Sequence, residues 1–148
     1  MKQIRTANEQ DIEMVSAFLG QAEVSSEGIG SIIDHFILLE DDEQKILATL
    51  GIERIEQDGL LRSLVISPGV DQTNLLTLFK SAISLAKHKE LNRLFLATNK
   101  QASIQFFAML GFEQVEIDGL PGHIESSNHI SQLLKKTDPM FMVSQIEK

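Results

Sequence analysis

The sequence contains no cysteine, no tyrosine and no tryptophan. Without cysteine, a disulfide framework, a thiolate zinc site and a cysteine nucleophile are all excluded. Without tyrosine, no step can use a phenol hydroxyl as its proton donor. Basic residues are few: 13 Lys and Arg stand against 21 Asp and Glu, for a net charge of −8. Nucleic acid is therefore not an expected partner, because a phosphate backbone is bound by a clustered basic surface.

Long apolar runs are also missing. No stretch approaches the ~20 apolar residues that cross a bilayer, and the first residues, MKQIRTANEQ, lack the apolar core of a signal peptide. We therefore expect a cytoplasmic protein with no membrane partner. The 148 residues, 43% hydrophobic and 23% charged, are typical of one globular domain covering residues 1–148.

The hydrophobic pattern predicts a mixture of strands and helices. Asn8 is expected to cap the first helix, with Asp11 close to the position of a capping box. The pair Asp58-Gly59 predicts a tight turn. Strands are predicted over 2–6, 35–40, 45–55, 60–67, 93–98, 112–117 and 140–146, and helices from Asn8, over 71–89, 102–110 and 126–136.

The third long strand, LLRSLVIS (60–67), is apolar on both faces apart from Arg62 and Ser63. Such a strand is usually central and covered on both sides. The helix and strand that follow predict a right-handed parallel crossover. The element order therefore predicts an α/β (α+β) fold with a mixed, mostly antiparallel six- to seven-stranded sheet and helices on both faces. An exposed final strand would allow a homodimer by pairing between chains.

Two motifs give the sequence its resemblance to a known superfamily. LLRSLVISP before the long helix, and FFAMLGF with Phe107, Gly111 and Phe112, resemble the GNAT N-acetyltransferases, whose element order matches from residue 2 to about 146. The tail, LPGHIESSNHISQL, resembles the small-molecule subgroup that includes arsenic-resistance-operon and amino-acid acetyltransferases. The resemblance implies direct transfer from acetyl-CoA, as co-substrate, to a small amine or amino-acid-like acceptor.

Glu53 is the candidate general base and Arg62 the candidate acceptor-binding group. An ammonium cannot attack a thioester until it loses a proton, which a carboxylate can accept directly or through water. Arg62 could hold a substrate carboxylate in bidentate fashion. With either Asp58-Gly59 or Gln57-Asp58 as the hairpin loop, the period of two places both side chains on one face. The alternative is a cross-strand ion pair with no catalytic role.

The resemblance also implies where the cofactor binds. The backbone of Leu64, Val65 and Ile66 would hold the pantetheine arm, although these side chains would be core residues in any case. Asn99 follows the next strand, where a family asparagine often contacts the cofactor; a helix cap is the alternative. Phe107 stands where many members place a tyrosine that protonates the departing thiolate. Water would then supply that proton, at a rate cost on the order of 10²-fold.

The stretch after the third long strand departs from the family pattern. Members usually read Q/R-x-x-G-x-G/A there, and free amides at the helix N-terminus bind the pyrophosphate. Here Asp71 holds the arginine position, and Gln72 and Asn74 replace glycines. Gln72, Thr73 and Asn74 are the residues assigned to the phosphate. Asp71 could also cap the helix with its carboxylate, which would repel that phosphate.

Two further residues are candidates for the acceptor side. The resemblance places Ser26 in a loop that often roofs the acceptor site, and His123 in a late loop that could border it; for His123 a surface position is the alternative. The four histidines lack metal-site spacing, so no metal is expected. The altered phosphate loop and the missing tyrosine leave two other functions open: a family member that binds a ligand or partner without catalysis, and an enzyme with a different acyl donor.

Overall fold

A computed structural model describes residues 2–146 of the chain. Its strands are β1 (Gln3–Thr6), β2 (Phe36–Glu40), β3 (Ile46–Ile55), β4 (Asp58–Ile66), β5 (Arg93–Thr98), β6 (Glu113–Val115) and β7 (Met140–Gln145). Its helices are α1 (Ile12–Gln21), α2 (Gln72–His88), α3 (Gln101–Met109), α4 (Gly122–Glu125) and α5 (Asn128–Lys136). Within the described residues, no helix has both the length and the apolar character needed to cross a bilayer.

The strands form a seven-stranded sheet in the order β1-β2-β3-β4-β5-β7-β6. The pairs β1–β2, β2–β3, β5–β7 and β6–β7 are antiparallel. β4 and β5 are parallel, because α2 carries the chain back between them. The predicted mixed, mostly antiparallel sheet is therefore confirmed, together with its parallel step.

The chain divides into two compact units. The first comprises Met1–Glu53 and Arg62–Leu85, and the second Arg54–Leu61 and Ala86–Lys148. Each unit buries an apolar cluster of its own. In the first these side chains are Ala7, Val15, Leu19, Ile29, Ile33, Phe36, Leu38 and Ile46. In the second they are Leu60, Phe95, Leu120, Ile124, Ile130 and Phe141. The expected single domain over 1–148 stays a prediction.

The start of the first helical segment confirms the predicted cap. The Asn8 side chain accepts a hydrogen bond from the Gln10 amide (2.9 Å), and Asp11 Oδ2 accepts one from the Asn8 amide (2.8 Å). Arg5 donates to both Asp11 oxygens (2.7 and 2.8 Å) and to Glu40 (2.8 and 3.1 Å). The Arg5 hydrogen bonds lower the pKa of Asp11 below its ordinary value. This ion network ties β1 and β2 to the residues before α1.

The predicted turn at Asp58-Gly59, and its alternative at Gln57-Asp58, are both wrong. The chain turns at Glu56-Gln57, where Glu56 has a φ of +57°, and Asp58 and Gly59 are the first residues of β4. Asp58 is buried, with a side chain 3% exposed, and Arg93 on β5 donates to both of its oxygens (3.0 and 2.9 Å). This distant partner outweighs the local turn preference of an Asp-Gly pair.

Four other predictions need correction. The end of β4 is not covered on both faces, since Leu64 and Ile66 are 39% and 37% exposed. β7 is not an exposed edge, because it pairs with both β5 and β6; the sheet ends instead at β6, whose first residue is exposed. The strand predicted over 112–117 is limited to β6, and the helix over 126–136 begins at Asn128, after the separate short helix α4.

Candidate active site

Glu53 on β3 and Arg62 on β4 contact each other directly. Arg62 Nη1 donates to Glu53 Oε1 at 2.9 Å, and their side chains are 26% (Glu53) and 19% (Arg62) exposed. Their predicted placement on one face is confirmed, although neither predicted loop was correct. The observed loop shifts the pairing of the two strands by an even number of residues, and residues an even number apart along a strand share a face. A carboxylate with one oxygen in this bond retains acceptor capacity on the other.

One N–H group of the Arg62 guanidinium, at Nε, is buried and has no hydrogen-bond partner within the described residues. A buried donor of this kind costs free energy unless a partner reaches it. The exposed part of the guanidinium, on a side chain that is 19% exposed, has the chemistry to receive an anionic oxygen in addition to its bond with Glu53.

The end of β4 presents apolar side chains outward. β4 pairs with β5 from Asp58–Arg93 to Leu60–Phe95, and β4 continues to Ile66. Leu64 and Ile66 are exposed, and Val65 packs against the apolar cluster of the first unit. Of the three side chains predicted as core, two are therefore available to a ligand.

Sequence reasoning revealed neither the backbone conformation of Ser63 nor the role of Thr49 beside this site. Ser63, inside β4, has a φ of +57°, which non-glycine residues seldom adopt in a strand. The hydroxyl of Thr49, a fully buried residue on β3, donates to the Ser63 carbonyl at 2.9 Å. No local signal in the sequence marks Ser63, because serine is not a residue that favours a left-handed conformation.

The N-terminus of α2 is capped by Asp71. Asp71 Oδ1 accepts hydrogen bonds from the Asn74 amide (2.9 Å) and from Asn74 Nδ2 (2.7 Å). The predicted cap is thus present. The Asn74 amide donates to the Asp71 carboxylate and is therefore not available to a phosphate. Gln72 and Thr73 are exposed in the first turn, where backbone N–H groups have no partner inside the helix.

Asn99 and Phe107 lie at the two ends of the segment that contains α3. Asn99 is exposed just after β5 and is not the cap of α3, because Lys100 holds that position. Phe107 is 7% exposed, and its ring makes edge contacts with Phe106 and Phe112 at centroid distances of 5.5 and 6.0 Å. Gly111 follows the C-cap Leu110 and has a φ of +98°, the left-handed conformation that glycine commonly adopts just after a helix.

His123 belongs to a charged cluster that the sequence did not reveal. Its Nε2 lies 2.7 Å from Oδ2 of the buried Asp58, and its Nδ1 lies 3.6 Å from Glu56 Oε2. Asp58 also binds Arg93, whose guanidinium lies 5.2 Å from the Phe95 ring centroid. The His123 side chain is 22% exposed, so it lies partly at the surface, and its assignment to the acceptor stays a prediction.

Ser26 lies in the loop between α1 and β2, and within residues 2–146 its side chain forms no hydrogen bond. Its carbonyl accepts a hydrogen bond from the Ile29 amide at 3.1 Å, and the nearby Gly28 has a φ of +76°. Ser26 is half-buried. The contacts of this loop lie within the first unit, so its assignment to the acceptor stays a prediction.

Comparison with known proteins identifies one sequence relative and several solved structures with a similar fold. No family model matches the sequence. The "Uncharacterized protein YwlB" of Bacillus subtilis (strain 168) is 40% identical over 131 residues, which are 88% of each chain. N-acetylglutamate synthase from Neisseria gonorrhoeae, complexed with coenzyme A and N-acetyl-glutamate, is 22% identical, with a TM-score of 0.79. The match covers 100% of this chain but only 36% of the synthase.

Two solved structures match over nearly their whole length. A GNAT-family acetyltransferase from Staphylococcus aureus Mu50 is 18% identical, with a TM-score of 0.73, over 99% of this chain and 100% of that one. Rv2747 from Mycobacterium tuberculosis, in complex with CoA, is 14% identical, with a TM-score of 0.76, over 98% and 99%. The predicted GNAT acyl-CoA N-acyltransferase fold is thereby confirmed.

Proposed function

This chain belongs to the family of the uncharacterized Bacillus subtilis protein YwlB, and from that premise we propose that it is an acetyl-CoA-dependent N-acetyltransferase. Its acceptor is a small amine or an amino-acid-like molecule. The GNAT fold supports this function, because structures with that fold were solved with coenzyme A bound. The amino-acid character of the acceptor has support from the tail motif and from the N-acetyl-glutamate held by the synthase.

The observation that carries the proposal is the Glu53–Arg62 pair beside the exposed end of β4. Leu64 and Ile66 offer apolar contact area to the methyl and methylene groups of a pantetheine arm. Glu53 and Arg62 supply a proton acceptor and an anion-binding donor, 2.9 Å apart, on the two strands of one hairpin. A carboxylate and a guanidinium of this kind are what acetylation of an amino acid requires.

Glu53 would accept the proton that the acceptor amine loses, directly or through one water molecule. The amine nitrogen forms the new C–N bond at the thioester carbonyl while the C–S bond breaks. Holding the amine next to the thioester removes much of the entropic barrier of a bimolecular step. Phe107 has no proton to give, so water protonates the thiolate, which is a tolerable leaving group.

Arg62 would bind the carboxylate of the acceptor through the exposed part of its guanidinium, since its side chain is 19% exposed beside the bond to Glu53. Hydrogen bonds between charged groups are short and strong, and Arg geometry suits a carboxylate. Ser26, His123 and Asn99 stay secondary candidates, since their recorded contacts do not point to a ligand.

Calorimetric titration with acetyl-CoA, followed by an amine screen for CoA release, tests the proposal. We expect a dissociation constant in the micromolar range, ~−8 kcal/mol. Glu53→Gln should lower turnover by about 10²- to 10⁴-fold and leave acetyl-CoA affinity unchanged. Glu13→Gln, which removes an exposed carboxylate from α1, is the matched control. Unchanged turnover in Glu53→Gln would remove Glu53 from the mechanism.

One observation favours a second candidate, a GNAT-fold protein that binds a ligand or partner without catalysis. Asp71 places a carboxylate where the pyrophosphate of the cofactor would bind, and it takes the Asn74 amide. The same titration separates the two functions. No detectable heat, and no rise in melting temperature at millimolar acetyl-CoA, would favour the binding protein or an enzyme with another acyl donor.

A further inference from the structure

Ser63 is the point at which β4 departs from regular pairing with β3. The hairpin has a two-residue turn between Ile55 and Asp58, and regular pairing from that turn would bring Ile66 opposite Leu47. Instead the amide of Ser67 donates to the Leu47 carbonyl at 2.8 Å, one residue further along. β4 therefore contains one extra residue, which defines a β-bulge.

The left-handed conformation of Ser63 identifies it as a bulge residue. Bulges often place a glycine at a position with positive φ, because a Cβ atom raises the energy of that conformation. Ser63 adopts a φ of +57° despite its side chain. Something in the surrounding structure must hold it there, since strained backbone persists only where its neighbours determine it.

Thr49 stabilises the left-handed backbone of Ser63 through a hydrogen bond. It is 0% exposed, and its Oγ1 donates to the Ser63 carbonyl at 2.9 Å. A carbonyl displaced by a bulge loses its place in the strand ladder and needs another donor. The Thr49 hydroxyl is a donor that water cannot easily replace, because the residue lies in the protein interior.

The residues on either side of Ser63 are those of the proposed site. Arg62 precedes it, and Leu64 and Ile66, which present apolar surface, follow it. A bulge re-aims the side chains and backbone that come after it. We propose that Thr49 is a positioning residue: its buried hydroxyl fixes the left-handed backbone at Ser63 and so sets the direction of Leu64–Ile66 for the acyl donor. The donor half of this inference rests on the function proposed above.

The test is a cycle of variants read by both acetyl-CoA affinity and melting temperature. Thr49→Val keeps the shape of the side chain and removes the hydroxyl. Ser63→Gly removes the Cβ atom that raises the energy of the left-handed conformation. The bulge should then form without the hydrogen bond from the Thr49 hydroxyl. Thr137→Val is the control, because the Thr137 hydroxyl also donates to a carbonyl, that of Leu133 (3.1 Å), at an ordinary helix end.

We expect Thr49→Val to weaken acetyl-CoA binding about tenfold and to lower the melting temperature by ~4 °C. Ser63→Gly alone should bind as the wild type does. The double variant should recover affinity to within about twofold of the wild type, because glycine adopts the left-handed conformation without a Cβ penalty. Thr137→Val should lower the melting temperature without changing affinity, in either background. Unchanged affinity in Thr49→Val, or no recovery in the double variant, overturns the inference.

Failure of the proposed function would be distinguishable from failure of this inference. If the wild type binds no acetyl-CoA, the donor assignment fails, and the cycle is then judged by melting temperature. Thr49→Val should lower the melting temperature less in the Ser63→Gly background than in the wild type. Equal losses in the two backgrounds would show that Thr49 does not hold the bulge.

Discussion

Asp71 gives the sharpest electrostatic prediction, because its carboxylate caps the helix N-terminus to which the proposed function assigns the pyrophosphate. It accepts from the Asn74 amide at 2.9 Å. If the charges of a pyrophosphate at the same helical turn lie about 6 Å from that carboxylate, each pair of charges costs ~0.7 kcal/mol in water. Two phosphate charges make this ~1.4 kcal/mol, which is a factor of about ten in the dissociation constant.

Asp71→Asn removes the charge and keeps an oxygen that can cap α2. We expect acetyl-CoA to bind about tenfold more tightly at low salt. The gain should shrink as salt rises, because the screening length falls from ~10 Å at 0.1 M to ~3 Å at 1 M. Titration calorimetry at both ionic strengths measures the effect, with Glu13→Gln as the control for net charge. Unchanged or weaker binding at low salt would refute the reasoning, as would a gain that salt does not reduce.

Three other variants test the remaining interactions. Arg62→Lys should raise KM about 10-fold or more for an acceptor with a carboxylate, and much less for an amine without one, because lysine cannot replace the bidentate geometry; equal changes in steady-state KM would contradict the assignment. Phe107→Tyr should raise kcat by up to ~10²-fold if the phenol reaches the thiolate; an unchanged kcat would show that it does not. Arg5→Ala should cost about 3–5 kcal/mol of unfolding free energy in urea, because it leaves Asp11 and Glu40 buried without their partner. Arg5 lowers the pKa of Asp11, so the contribution of this pair to stability should be fully present above the ordinary Asp pKa. It should be lost as the pH falls through the lowered pKa of Asp11 in the folded protein. The stability of the wild type should therefore fall faster on acidification than that of Arg5→Ala, and an equal or slower fall would rule out this linkage.

Much of the candidate site could be predicted from local pattern alone. Glu53 and Arg62 were expected on one face whichever of two loops closed the hairpin, and they are in contact although the real loop is a third one. Side-chain alternation along a strand depends only on parity, which explains why the prediction tolerated the wrong turn. The cap at Asp71 was predictable for the same kind of reason, since it involves residues three apart in the sequence.

The errors arose where partners lie far apart in the sequence. The local signal at Asp58-Gly59 indicated a turn, but Asp58 is held by Arg93, 35 residues away. His123 was expected in a loop and is found against the same carboxylate, 65 residues from Asp58. The final strand was expected at an edge, and it lies between β5 and β6. The spacing of apolar residues along the chain does not reveal any of these three pairings.

By itself, the sequence determined the fold class, most strand and helix positions and the chemistry that the chain lacks. These properties depend on composition and on spacings of two to four residues, which a sequence displays directly. Only the tertiary structure decided that β4 contains a bulge at Ser63, that Thr49 bonds its carbonyl, and that Leu64 and Ile66 are exposed. The physical reason is that strain and exposure depend on neighbours from other strands, and those neighbours are brought together only when the chain folds.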